Sequence, residues 1–72
     1  MLTLNDLKKT RFATLEELDE VGYKRKFELG RNEWGFDIIV IIDNDNSQWN
    51  YDGEQDIFTF QRKADENFLI QV

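Results

Sequence analysis

The residues best suited to chemistry are the carboxylates of a polar stretch between residues 43 and 56, which holds five acidic side chains. Four of its residues fall at positions 1, 3, 5 and 12 of a calcium-binding loop template: Asp43, Asp45, Ser47 and Glu54. Calcium binds several carboxylate oxygens, so these residue types suit it. However, Gln48 replaces the turn glycine of the template, and Asn50 stands where an apolar residue is expected. The pattern favours a solvated loop and no cofactor, with a calcium-binding acidic-loop module as a weaker alternative.

Enzymatic chemistry has little support in this composition. The chain contains no histidine and no cysteine, which removes the usual general base, the thiol nucleophile and the commonest zinc ligands. Ser47 is the single serine, and no histidine can activate it. A ligand-sized cleft is also hard to build from 72 residues. We therefore expect the protein not to be an enzyme.

The same composition suggests a cellular compartment. Without cysteine the chain has no disulfide scaffold, and a reducing environment is the simplest expectation. The N-terminal residues show no basic start followed by an apolar stretch, as a secretory signal would. The longest apolar run, residues 38–42, is far shorter than the roughly 20 residues of a membrane-spanning helix. We expect a cytoplasmic protein with no membrane partner.

Charge divides the chain into two unequal halves. Residues 1–36 carry equal numbers of basic and acidic side chains, so residues 37–72 hold the whole net charge of −6. Two basic clusters lie in the first half: Lys8, Lys9 and Arg11, and Lys24, Arg25 and Lys26. They suggest a nucleic-acid-associated regulator as an alternative function, although the net charge argues against direct contact with phosphates. The acidic half suggests the opposite partner, a basic surface on another protein.

The elements that must position these groups begin with a helical N-terminal third. Thr14 and Glu17 have the spacing of a capping box, and Thr3 and Asp6 repeat it upstream. Leucine and valine side chains follow at helical spacing, and Gly22 is placed to end the helix. We predict one helix over about residues 3–21 with an irregularity near residues 11–14. Two helices broken at that point are the alternative.

The rest of the chain alternates with period two, which is typical of strands. The alternation predicts strands over residues 23–29, 34–42, 57–62 and 68–72, with residues 43–56 as a loop that turns at Asp52-Gly53. In the first strand, one face should carry Tyr23, Arg25, Phe27 and Leu29. The predicted fold is therefore α+β. One domain, residues 1–72, would pack its N-terminal helix on a three- to four-stranded antiparallel sheet.

The second predicted strand is apolar on both faces, because Ile39 and Ile41 are as apolar as their neighbours Ile38, Val40 and Ile42. One helix covers only one face of a small sheet, so something else must cover the Ile39/Ile41 face. The acidic loop could do so, with Trp49 or Tyr51 folded over it. A second copy of the chain is the other possibility, and it suits a domain this small. We predict a homodimer with these interface residues: Ile39, Ile41, Trp34 and Trp49.

Three segments of the chain are similar to the Yopt family of small Bacillus prophage proteins. They are TLEELDEVG (residues 14–22), WGFDIIVIID (residues 34–43) and the closing IFTFQRKADENFLIQV (residues 57–72). The resemblance implies a homodimer of subunits with a helix and about three strands, and no established biochemical activity. The leading hypothesis is a phage-derived homodimeric protein-interaction module that binds a host or phage protein.

Overall fold

Two short helices, a five-stranded antiparallel sheet and a third helix make up the fold. The computed structural model describes residues 1–61 and 63–70. In chain order the elements are α1 (Leu4–Thr10), β1 (Phe12–Ala13), α2 (Leu15–Val21), β2 (Tyr23–Arg31), β3 (Asp37–Asp43), β4 (Gln48–Asp52), β5 (Ile57–Gln61) and α3 (Glu66–Ile70). The sheet order is β1-β5-β4-β3-β2, so the four longer strands form a meander and β1 adds an edge. The α+β class is confirmed.

The prediction of one helix over residues 3–21 is wrong in its continuity, because α1 and α2 are separate helices. Both predicted capping boxes form, at Thr3 with Asp6 and at Thr14 with Glu17. A helix-starting cap needs an extended backbone, and Thr14 has φ −81° and ψ 163°, so the chain leaves the helix before it. Arg11 ends α1 in the left-handed region at φ 65°, and the next two residues pair with β5 as β1.

Strand β2 does not keep the single face that was predicted for it. It carries an extra residue relative to β3 at two points, between Tyr23 and Arg25 and between Glu28 and Arg31. Each such bulge shifts the alternation by one position. Tyr23 consequently packs against the N-terminal helices, while Phe27 lies on the opposite face of the sheet. The strand is also longer than predicted and reaches Arg31.

The predicted acidic loop, residues 43–56, contains a strand. Strand β4 pairs with both β3 and β5, and tight turns connect it on either side. Asparagine and aspartate are depleted in strands, so a loop was predicted here although Trp49 and Tyr51 alternate with polar residues as in a strand. The turn at Asp52-Gly53 is confirmed, whereas the β3 strand starts only at Asp37, so Trp34 and Phe36 lie in the preceding loop.

The predicted C-terminal strand over residues 68–72 is also wrong, because residues 66–70 form α3; residues 71 and 72 lie outside the described part. Asp65 starts this helix by accepting the backbone N–H of Asn67 at 2.9 Å. The Gln48 side chain accepts the N–H of Asp65 at 3.0 Å and so ties the helix to β4. Phe68 then packs its ring 5.0 Å from that of Phe27.

The two faces of β3 are covered by different parts of the same chain. Helices α1 and α2 pack over the face of Ile39 and Ile41, in a core that includes Leu7, Leu18 and Trp49. Helix α3 and Ala64 cover the other face, where Phe27, Val40 and Ile42 lie. The sequence left coverage by the acidic loop or by a second copy open. The cover of the Ile39/Ile41 face is instead the N-terminal helices.

Candidate functional site

The carboxylate of Asp43, the first residue of the calcium template, serves as a buried structural group. The residue is 0% exposed. Its Oδ1 accepts the backbone N–H groups of Asp45 and Ser47, and its Oδ2 accepts the indole N–H of Trp49, each at 2.9 Å. Charged acceptors favour such bonds, and they hold the turn between β3 and β4. The oxygens that a cation would need are therefore engaged by the protein itself.

The four template residues do not share one place in the structure. Asp45 extends outward from the β3–β4 turn and pairs with Lys8 of α1 at 2.7 Å. Glu54 lies in the turn that follows β4, so the whole strand separates it from Asp43, roughly 16 Å at the usual rise per residue. Within residues 1–61 and 63–70 no three acidic side chains gather as a metal site. The calcium template does not assemble in this fold, because its loop is a strand with two turns.

The two basic clusters approach each other only through their first lysines. Lys8 from α1 and Lys24 from β2 reach neighbouring residues of the β3–β4 turn, and Lys24 donates to Asn46 at 2.6 Å. Arg25 stacks on Phe27 on the α3 side of the sheet, whereas Lys26 lies beside Glu28 on the other side. The cations are divided between two faces and are partly neutralised. This arrangement gives the nucleic-acid alternative no continuous basic surface.

The four residues predicted for a dimer interface have different surroundings. Ile41 and Trp49 are 0% exposed inside one chain, and Ile39 packs against the same core. A second copy cannot reach the two buried side chains without unfolding the helices above them. Trp34 alone is well exposed, at 74%. Tryptophan is enriched among the residues that dominate binding energy at interfaces, so Trp34 marks the candidate functional site.

The loop that carries Trp34 is firmly built. Asn32 accepts the backbone N–H groups of Trp34 at 2.9 Å and of Phe36 at 3.0 Å with its side-chain oxygen. Its own backbone bonds to Phe36 and Gly35 close the loop, and Gly35 takes a left-handed φ of 86°. A loop of fixed shape loses little backbone entropy when its side chain binds. The backbone at Trp34 is therefore pre-organised for contact.

Beside Trp34 lies a groove of about 300 Å³ between this loop and the β4–β5 turn. The described residues that line it are Asn32, Trp34, Phe36, Asp37, Ile38, Tyr51, Asp52, Gly53 and Glu54. The side chain of Phe36 packs directly against Gly53. A Cβ added at Gly53 would lie 2.6 Å from the Cβ of Phe36. Glycine suits this position because the Phe36 side chain lies where any larger residue would place its Cβ. The floor of the groove is thus fixed by a packing contact between two turns.

The groove has a strongly acidic character. Asp37, Asp52 and Glu54 line it, and none of its lining residues in the described chain is basic. Tyr51 donates its hydroxyl to Asp56 at 2.6 Å. This hydrogen bond raises the pKa of Tyr51, with smaller contributions from burial and from the charges of Asp56, Asp37 and Asp52. The charges of several carboxylates therefore contribute to the raised pKa of the Tyr51 hydroxyl.

An apolar strip continues from the groove along the α3 side of the sheet. Leu29 is 51% exposed and Ile38 is 37% exposed, and they lie on the neighbouring strands β2 and β3 at the bulge between Glu28 and Arg31. Sequence patterns singled out Trp34 but did not bring Tyr51 or Gly53 to it. Asn32 followed by Gly35 is typical of a tight loop, and it is the local signal that could have placed Trp34 on one. The neighbours themselves come together only once β4 is recognised as a strand.

Comparison of the chain with protein-family models, curated proteins and solved structures finds no match. The resemblance to the Yopt family therefore stays a prediction. Among the helices of the described residues, none has the length and apolar character to cross a membrane.

Proposed function

We propose that the protein is a protein-interaction module whose contact surface is Trp34, the adjoining groove and the apolar strip of Leu29 and Ile38. The observation that carries the proposal is the 74% exposure of a tryptophan on a loop held by four hydrogen bonds. Tryptophan is enriched among the residues that dominate binding energy at interfaces. A folded chain gains nothing in stability from exposing it.

Both edges of the sheet are poorly suited to binding, which favours the Trp34 surface. Strand β1 offers only two residues to another chain. Strand β2 is bulged twice and carries three consecutive cations at residues 24–26. Bulges and edge lysines are devices that discourage pairing between strands of different chains. Contact through side chains at the end of the sheet therefore fits the fold better than strand addition.

Self-association and a phage origin stay predictions within this proposal. Of the four residues predicted for a dimer, Trp34 is the one that the fold leaves on the surface. A homodimer would accordingly be built on Trp34 and its strip rather than on Ile41. Light scattering at micromolar concentration measures it directly: a monomer mass for the wild type would remove the homodimer from the proposal.

Selection from a random peptide library tests the proposed function. The wild-type protein is the bait, and the Trp34→Ala variant is the matched control, since removing an exposed side chain leaves the core intact. We expect families of peptides that enrich on the wild type and fail to enrich on Trp34→Ala. Enrichment that is equal on both proteins, or absent from both, would rule out Trp34 as the anchor of a binding surface.

A further inference from the structure

The groove beside Trp34 has the chemistry of a receptor for a positively charged side chain. We propose that it binds a lysine or arginine side chain from a basic segment of a partner protein. The inference rests on the proposed function, because it names the partner chemistry for the same surface. It is argued from the size of the groove, its walls, its charge and the poor fit of other occupants.

The size of the groove selects a side chain over a cofactor. Its volume of about 300 Å³ lies at the lower limit of small-molecule pockets, which span roughly 300–1,000 Å³. It also lies open at the end of the sheet, between two turns, so an extended segment can pass over it while one side chain enters. A second groove of about 310 Å³ adjoins it at Asp37 and Ile38. Neighbouring residues of the segment can use that second groove.

The walls suit a side chain with an apolar stem and a charged end. Trp34, Phe36 and Tyr51 supply aromatic surface, and Ile38 supplies an aliphatic contact. The methylene stems of lysine and arginine pack on apolar surface while their charged ends stay near water. Cations within about 6 Å of an aromatic ring are attracted to its face, most strongly to tryptophan. The chain already uses this contact elsewhere, with Arg25 lying 5.4 Å from the ring of Phe27.

The carboxylates give the groove its selectivity for charge. Asp37 is already paired with Arg31 at 3.3 Å, but Arg31 stands outside the groove lining. Asp52 accepts the Glu54 backbone N–H and the Gln55 side chain, which fix its orientation. Glu54 makes no ion pair within residues 1–61 and 63–70, so its charge is available to a ligand. An arriving cation therefore meets an oriented carboxylate and an unneutralised one.

The other occupants fit this charge poorly. In a two-fold dimer built on the groove, the same surface of each copy would face the other, bringing the carboxylates of both copies together. If the groove instead took the basic residues 24–26 of another copy, the contact would join two different surfaces, which gives open chains or rings rather than a dimer. Nucleic acid would add phosphates to an acidic site. A basic protein segment is the occupant that the charges attract.

A nuclear magnetic resonance titration tests the inference, because the two tryptophans give separate indole N–H signals. Trp34 is 74% exposed and Trp49 is 0% exposed, so Trp49 is an internal control. The probe is the blocked peptide Gly-Lys-Gly-Lys-Gly, and its control carries acetylated lysines. We expect the Trp34 signal and the amides of residues 52–54 to shift with the lysine peptide only. The Trp49 signal should stay in place, which also reports that each variant is folded.

Matched double variants separate the groove from general acidity. Asp37→Asn with Glu54→Gln removes two groove charges, and Glu20→Gln with Glu66→Gln removes two exposed charges on α2 and α3. The first pair should weaken binding roughly three- to tenfold, and the second by less than about twofold. Equal weakening in both pairs, or shifts spread over the acidic surface, would overturn the inference. The inference would also be overturned by a Trp34 signal that moves on dilution of the free protein or on addition of random-sequence DNA.

The peptide library distinguishes this inference from the proposed function. If peptides enrich in a Trp34-dependent way and are rich in lysine and arginine, both stand. If they enrich in a Trp34-dependent way without basic residues, the interaction module stands and the cation-binding groove is wrong. If nothing enriches and the lysine peptide causes no shift of the Trp34 signal, both fail.

Discussion

Replacing Asp43 with alanine should be among the most destabilising changes in this chain. The side chain is fully buried and accepts three N–H donors, two from the β3–β4 turn and one from the Trp49 indole. The described residues contain no buried side-chain nitrogen or oxygen without a partner. The substitution would create such an atom at Trp49, which has no access to water.

The magnitude follows from what each donor loses. A buried donor left without a partner costs about 1–3 kcal/mol. The N–H of Ser47 is also in a buried bond, so its loss costs a similar amount, whereas the partly exposed N–H of Asp45 can turn to water. We therefore expect Asp43→Ala to cost about 2–6 kcal/mol. A domain of this length has a total stability of roughly 4–11 kcal/mol, so the melting temperature should fall by about 10 °C or more.

Urea unfolding measures the loss, followed by tryptophan fluorescence in a Trp34→Phe background where only buried Trp49 emits. The control is Asp45→Ala, two residues away, whose side chain is 57% exposed and pairs with Lys8 on the surface. Exposed ion pairs contribute about 0–1 kcal/mol, so the control should change little. Asp43→Asn keeps one acceptor for the turn but sets an amide against the indole, and its loss should be intermediate. Equal losses at Asp43 and Asp45 would refute this account.

Three further predictions concern the groove. Trp34→Ala should change the free energy of unfolding by less than about 0.5 kcal/mol in urea titrations, because an exposed side chain contributes little to the core. Gly53→Ala should force Phe36 off the turn and cost about 1–3 kcal/mol, visible as shifted amide signals in the Trp34 loop; unchanged signals would contradict the packing described. In a Tyr23→Phe background, which removes the other tyrosine, ultraviolet absorbance should show Tyr51 titrating above its ordinary pKa of 10, and Asp56→Asn should bring it back towards 10. When folding raises the pKa of a group, its protonated form stabilises the folded state at pH values below the unfolded pKa. The Tyr51–Asp56 hydrogen bond therefore contributes stability below about pH 10, and this contribution disappears as the pH rises through the folded-state pKa of Tyr51. If Asp56→Asn left the Tyr51 titration unchanged, the hydrogen bond to Asp56 would not be the cause of the raised pKa.

Local signals in the sequence identified the helices' ends but not their number. The capping boxes at Thr3 and Thr14 and the stop at Gly22 all form as their chemistry predicts. The spacing of leucines nevertheless fits one long helix as well as two short ones. What decides between them is the pairing of residues 12 and 13 with β5, a contact some 46 residues away along the chain. The capping box at Thr14 is the local sign of the same break, because a cap residue must leave helical geometry.

The polar strand β4 explains why the site was only partly predictable. Polar side chains at Gln48, Asn50 and Asp52 face the α3 side, where Gln48 bonds Asn50 and Asn50 bonds Gln61. This network satisfies a strand whose residue types favour turns. Once β4 is a strand, its end carries Tyr51, Asp52 and Gly53 to the loop of Trp34. An isolated loop would have left those residues without a fixed position.

The uneven charge along the chain becomes an uneven charge across the molecule. Strand β4 separates the β3–β4 turn, where Lys8 and Lys24 meet Asp45 and Asn46, from its own far end and the β4–β5 turn, where Asp52, Glu54 and Asp56 lie. The lysines therefore neutralise the first turn and leave the second one acidic. An exposed tryptophan stands beside the second turn rather than the first. Because apolar surface and unneutralised charge coincide at one end, a basic partner attracted by the charge would arrive beside the exposed tryptophan, on a loop whose backbone is already fixed.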